Sequence, residues 1–205
     1  MTRRRIQLTA LAFVLGVFFL SALGYGATWN IDPAHSVAHF KIKHMMITNV
    51  PGQFTGISGT FEVDDKDITK LKAEATLDVK TLNTNNEKRD GHLKSPDFFD
   101  AEKYPTITFK SKKVTKSGAN FKLMGDLTMH GVTKEVTLNA AELTSPVKDP
   151  GGNMKRGFSA TTQLNRKDFG ITWNKALEAG GWLVGEKVDV TIELELAAAS
   201  KTTAG

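Results

Sequence analysis

Five histidines, His35, His39, His44, His92 and His130, are the side chains of this 205-residue chain best suited to metal or acid–base chemistry. Their spacing does not suit a shared metal ion. His35 and His39 are four apart in a segment that reads as extended, so they stand roughly 13 Å apart at about 3.3 Å per residue. His39 shares parity with Val37 and Lys41, whereas His44 shares it with Ala38, Phe40 and Ile42. His44 is therefore expected to face inward, and no metal is expected. Nucleophilic chemistry has little to work with either: the chain has no cysteine, no G-x-S-x-G elbow and no phosphate-cradling glycine loop. Asp90 and His92 flank Gly91 and are the residue types of an acid–base pair, although holding a loop is the commoner use of such residues. The chain is expected not to be an enzyme and to need no cofactor.

A different chemistry is available in the same loop. Arg89, His92 and Lys94 bring cationic or donor groups beside Phe98 and Phe99. That pairing suits an amphiphile, with rings against an apolar chain and donors meeting a phosphate, hydroxyl or carbonyl head. The plainer reading is that Arg89 and Asp90 staple the loop while Phe98 and Phe99 plug one end of the fold.

The elements that position these residues are strands. Leu71, Ala73, Ala75, Leu77 and Val79 alternate with polar residues, and Val188, Val190, Ile192, Leu194 and Leu196 do the same near the C-terminus. Weaker alternation runs through 36–44, 53–63, 106–114, 121–130, 133–143 and 158–165. About eight strands result, with the glycines at 52, 56 and 59 placed for a bulge or sharp coil. The connections at 64–67, 116–119 and 146–152 are short and turn-rich, leaving no room for crossover helices, so the sheet is expected to be antiparallel. The Thr81–Pro105 connection is long, with a short helix expected over 86–93, capped by Asn85 or Asn86. Eight such strands close into a barrel without free edges, or pack as a two-sheet sandwich. The small inward residues Ala38, Ala73, Ala75 and Ala160 point to an unfilled interior.

Arg3, Arg4 and Arg5 precede an apolar run from about Ala10 to Leu20 and then small residues, the pattern of a cleaved export leader over 1–27. A barrel domain over 28–196 and a disordered tail over 197–205 complete the expected organisation. Losing the three leader arginines takes the formal charge from +5 to +2, too little for a nucleic-acid partner.

Several runs identify a family resemblance. They are Asp32-Pro33-Ala34-His35-Ser36, Val50-x-Gly52-x-Phe54, Arg89-Asp90-Gly91-His92-Leu93, Asp97-Phe98-Phe99-Asp100, Leu127-Thr128-x-His130-Gly131-Val132-Thr133-Lys134 and Asn165-Arg166-x-Asp168-Phe169-Gly170. From about Trp29 to Leu196 the chain resembles the YceI-like, polyisoprenoid-binding periplasmic proteins. The resemblance implies an all-β, roughly eight-stranded, lipocalin-like barrel, exported to the periplasm, that stores or transports a long isoprenoid of polyprenyl or quinone type without catalysis. Strand parity and the two aromatic segments nominate Phe40, Ile42, Leu77, Val79, Phe98, Phe99, Phe109, Leu127, Met129, Phe158, Phe169, Trp173 and Trp182 as lining residues, with His44, Arg89 and His92 beside them. The partner expected is a long-chain lipid; transient membrane contact and a homodimer are compatible with it. The alternatives are an interaction barrel with a filled core and, further off, a lipid-modifying enzyme using His92 and Asp90.

Overall fold

The computed structural model describes residues 26–199. The expected leader lies outside them except for Gly26 and Ala27. In chain order the strands are β1 (Ala27–Ile31), β2 (Val37–His44), β3 (Thr48–Phe54), β4 (Ile57–Val63), β5 (Lys72–Asp78), β6 (Thr106–Ser117), β7 (Asn120–Met129), β8 (Val132–Ala140), β9 (Val147–Lys148), β10 (Met154–Asn165) and β11 (Val184–Ala198), with one helix, α1 (Glu87–Lys94), between β5 and β6. Eight strands close a fully antiparallel barrel in the order β11, β1, β4, β5, β6, β7, β8, β10, sealed by the long β10–β11 ladder. Two-residue turns and ladder pairing between chain neighbours explain the order, because adjacent strands with short links have nowhere else to pair. β11 reaches Ala198, so the first two residues of the expected tail are paired wall.

The wall changes partners along its length. β11 pairs β1 through Leu196–Ala198 but pairs β2 through Val184–Glu193. The step between β1 and β2 is a 3-10 turn, Pro33–His35: Asp32 caps it by accepting from the Ala34 N–H, and the Ser36 hydroxyl accepts from the Glu195 N–H. The strand expected over 53–63 is likewise broken at Thr55–Gly56 into β3 and β4. β4 pairs β5, with Gly59 at φ 143° lying so close to the Glu74 carbonyl that no side chain fits. β3 instead diverges from β5, and the connection carrying α1 occupies the space, held by reciprocal 2.9 Å bonds between Gln53 and Asn83. On the far side β8 meets β10 only around Ala140–Ala160 and Asn139–Thr161. Both departures widen the same end of the barrel.

The inward face is therefore solid at one end and hollow at the other. At the solid end Trp29, Phe61, Phe121, Leu123, Phe158 and Leu196 are buried in one cluster, with Phe61 and Phe158 ring centroids 5.0 Å apart. Ala73, Ala140 and Ala160 belong to that cluster. Ala73, Ala75 and Ala160 thus mark the packed end, opposite to the expectation that they would leave the interior empty, and make room for the large rings; of the small residues expected there, Ala38 does line the hollow. At the other end the inward residues are large yet half-buried, among them Phe40, Ile42, Leu77, Phe109, Leu127, Val188 and Val190. A core filled throughout, the alternative expectation, does not describe this barrel.

Candidate functional site

The hollow end encloses a cavity of about 420 Å³, within the roughly 300–1,000 Å³ typical of small-molecule sites. β2, β5, β6, β7 and β11 supply its walls through Phe40, Ile42, Leu77, Ile107, Phe109, Leu127, Met129, Val188, Val190 and Ile192. The α1 connection and the β10–β11 loop cover it with linked aromatics. Phe54 packs edge-on to Phe99 at 5.7 Å, and Phe98, His92 and Trp173 form a triangle with centroids 4.9 to 5.1 Å apart. Lys43 and His92 line the cavity and are solvent-exposed, so it reaches the surface at this end.

Twelve of the residues nominated from sequence line this space: Phe40, Ile42, His44, Leu77, Arg89, His92, Phe98, Phe99, Phe109, Leu127, Met129 and Trp173. Four do not. Phe158 lies in the solid core with Phe61 and Phe121, because β10 spans both ends of the barrel and Phe158 is low on it. Val79 leaves the strand pattern, since Asp78 caps a 3-10 turn there, and it is buried away from the cavity. Phe169 is buried behind the rim, next to Ile171 and Met129. Trp182 is 50% exposed on the outside of the β10–β11 loop. Phe54, Leu164, Ile171, Leu183 and Arg166 line the cavity without having been nominated; Phe54 and Arg166 sat in quoted motifs, which was the available signal.

The α1 donors are engaged within their own loop. Asn86 caps α1, accepting from the Arg89 N–H. Arg89 donates from Nε to the Thr84 hydroxyl (2.8 Å) and from Nη2 to the Thr84 carbonyl (2.7 Å), while an Asp90 carboxylate oxygen accepts from the Thr84 N–H at 2.9 Å. His92 Nε2 bonds the Asp97 carboxylate at 2.8 Å. Arg89 and Asp90 act as the loop staple, and the Asp90–His92 pair that acid–base chemistry would need is not formed.

Two arginines are buried, with opposite surroundings. Arg156, at the solid end, donates to the Asp65 carboxylate at 2.9 Å and lies over the Trp29 ring. Arg166 is 4% exposed and follows β10 in a 3-10 turn. It donates from Nε to the Gly185 carbonyl (2.8 Å) and from Nη1 to the Ile171 carbonyl (2.7 Å), while its Nη2 is buried without a partner. Burial pulls its guanidinium below the ordinary value, opposed by the charge of Glu186; an arginine nevertheless stays charged. Lys43, Arg89 and Arg166 line the cavity and, among the described residues, no carboxylate does.

A cluster of Asp32, His35 and Glu195 has the geometry of metal ligands, but the Lys155 ammonium occupies its centre, 2.7 Å from Asp32 and 2.9 Å from Glu195. The Lys155 ammonium, then His35, holds the Asp32 carboxyl well below the usual range, and Asp32 with Glu195 raises Lys155.

Residues 29–196 match the family described as the YceI-like domain. The chain belongs to the YceI-like family. A UPF0312 protein of Staphylococcus aureus is 41% identical over 161 residues, spanning 78% of this chain and 91% of that relative. The solved YCEI protein of Campylobacter jejuni is 33% identical, with 78% and 91% of the two chains covered and a TM-score of 0.64. Two more distant structures share the fold: Burkholderia cenocepacia BcnA (21% identity, 80% and 98% covered, TM-score 0.68) and a polyisoprenoid binding domain from Saccharophagus degradans (16%, 84% and 99%, TM-score 0.60). In this YceI-like chain most of the quoted motifs build the rim of the hollow end. His130, at φ 52°, bonds the Phe169 carbonyl through Nδ1 at 3.0 Å, and Tyr104 packs on Gly131 where a side chain would collide. Asn165 caps the Arg166–Phe169 turn, and Gly170 ends it in the left-handed region at φ 75°.

Proposed function

We propose that this chain binds a long-chain amphiphile, its apolar tail in the barrel cavity, and that it stores or carries that lipid in the periplasm after export by a cleaved leader. The observation that carries the reading is the hollow end itself: large apolar side chains around about 420 Å³ that they do not fill. Burying an apolar tail contributes about 25 cal/mol per Å², so on the order of 500 Å² gives ~12 kcal/mol before immobilisation costs. That supports stable binding with few polar contacts. An isoprenoid tail, of polyprenyl or quinone type, is supported by the shared fold of the Saccharophagus degradans polyisoprenoid binding domain.

The head is proposed to be rich in acceptors. A buried cation without a carboxylate partner is costly, and Arg166 has a donor left unmade beside the cavity. A phosphate, carboxylate or carbonyl drawn towards that wall lowers the cost.

Trp173 provides the test, since it lines the cavity while Trp29 is buried at the solid end and Trp182 lies outside. Titration with a quinone bearing a long isoprenoid tail should quench fluorescence saturably at one equivalent. The quenched component should be missing in Trp173→Phe. Quenching that rises linearly without saturating, or that persists unchanged in Trp173→Phe, overturns the reading.

A further inference from the structure

The turn between β2 and β3 is built from the wrong residues for its backbone. The Ile47 N–H bonds the His44 carbonyl at 3.1 Å, and the two residues between them, Met45 and Met46, have φ of 51° and 64°. Positive φ at both central residues of this β-turn, within a three-residue loop closed by the His44–Thr48 pair, is the type I′ pattern, which favours Asn-Gly because ordinary side chains are strained there. Methionine has no local hydrogen bond to offer in exchange. The strain has no packing return either: Met45 is 43% exposed, Met46 59% and Ile47 76%.

This tip is not isolated. The Met45 N–H bonds the Leu183 carbonyl at 2.8 Å, which ties it to the β10–β11 loop, and Gly181 lies against Met46. The same loop presents Trp182, 50% exposed. Four large apolar side chains therefore stand together on one knob. The knob borders the cavity, since His44, Leu183 and Val184 line it. Its flanks are basic: Lys41 and Lys167 nearby are paired with Asp189 and Glu186, whereas among the described residues Lys43 and Lys175 have no ion-pair partner. The acidic residues of the loop are Asp168, in its opening 3-10 turn, and Glu178.

We infer that the Met45–Ile47 turn and Trp182 form a docking knob that inserts into the surface of an anionic phospholipid bilayer, bringing the cavity mouth to the membrane. Apolar and indole side chains enter the headgroup boundary, and lysines on the flank meet anionic lipid. Backbone strain kept at an exposed apolar tip is accounted for if the side chains, not the turn, are what is needed. This rests on the lipid-carrier reading for its purpose, although docking is measurable without any cargo.

The test is co-sedimentation of the protein with protein-free vesicles of phosphatidylglycerol and phosphatidylcholine, compared with phosphatidylcholine alone. Wild type should pellet with the anionic vesicles and several-fold less with the neutral ones. Met45→Asn combined with Met46→Gly installs the favoured turn, so its melting temperature should equal or exceed wild type while its vesicle affinity falls roughly tenfold or more. Ile47→Ser combined with Trp182→Ser should lose binding similarly. Failure of wild type to pellet with anionic vesicles, or undiminished binding by both variants, overturns the inference. A cavity-filling variant, Val190→Trp, should still pellet. If it does while no lipid loads into wild type, docking stands and the carrier reading falls; loading without docking gives the converse.

Discussion

Replacing Val190 by tryptophan asks whether the cavity is where ligand goes. Val190 lies on β11 opposite Phe40 of β2 and Thr162 of β10, and its side chain lines the cavity. If the indole takes up roughly 100 Å³ of dry space, at about 24 cal/mol per Å³ it returns ~2.4 kcal/mol. Imperfect packing removes about 1 to 3 kcal/mol of that. The ligand-free variant should therefore melt within a few degrees of ligand-free wild type. Ligand at one hundred times its dissociation constant stabilises wild type by about 2.7 kcal/mol, a rise of roughly 5 to 11 °C for a domain of this size. Thermal unfolding with and without a long-tailed isoprenoid quinone gives the readout: a full shift in wild type, and less than a third of it in Val190→Trp. Thr191→Trp, which puts the same residue on the exposed outer face of the same strand, should keep the full shift. Equal shifts in Val190→Trp and Thr191→Trp would refute binding inside the barrel.

The solid end should behave as structure alone. Phe158→Ala, deep in the Phe61 and Phe121 cluster, should cost about 3 to 5 kcal/mol in denaturant unfolding, with the ratio of loaded to empty folded protein unchanged. Arg166→Gln should weaken binding of a phosphate- or carboxylate-headed long-chain lipid about tenfold or more while leaving the matched alcohol nearly unaffected; equal losses for the two heads contradict the assignment of Arg166. Asp32 carries a pH signature. Its folded carboxyl is held down by Lys155 and His35, so its contribution is complete above the ordinary carboxylate value near 3.8 and is lost as pH falls through the lowered folded value. Asp32→Asn should flatten the fall in unfolding midpoint below about pH 4, and a parallel pH profile for the two proteins counts against that linkage.

How far the sequence could carry this account follows from what periodicity measures. Parity found the two strong strands, β5 and β11, because one buried face per strand leaves a direct trace in residue type; the helix at α1 was legible from its capping asparagine, Asn86. It missed β1, where only Trp29 and Ile31 show the alternation in five residues. Parity also states which side of a strand faces inward but not how far along the barrel axis a residue lies. Phe158 and Phe109 are both inward, yet one plugs the solid end and the other lines the hollow one. The same blindness made Ala73 and Ala160 look like cavity residues when they accommodate neighbouring rings. Arg166 was visible as a motif residue, but its missing partner is a property of three segments brought together, Gly185, Ile171 and the turn after β10. The exposed Met45–Ile47 turn was hidden for a related reason: three consecutive apolar residues carry no turn-forming residue type, and only the backbone angles reveal the turn.

The central claim is that the hollow end holds a lipid tail in the working protein. Native mass spectrometry of protein purified after export, with no lipid added, tests it most directly. One bound species per chain, with the mass of a long-chain amphiphile, should be retained by wild type and missing from Val190→Trp. Bare protein in repeated wild-type preparations, with no adduct after incubation with excess polyprenyl or quinone lipid, would contradict it.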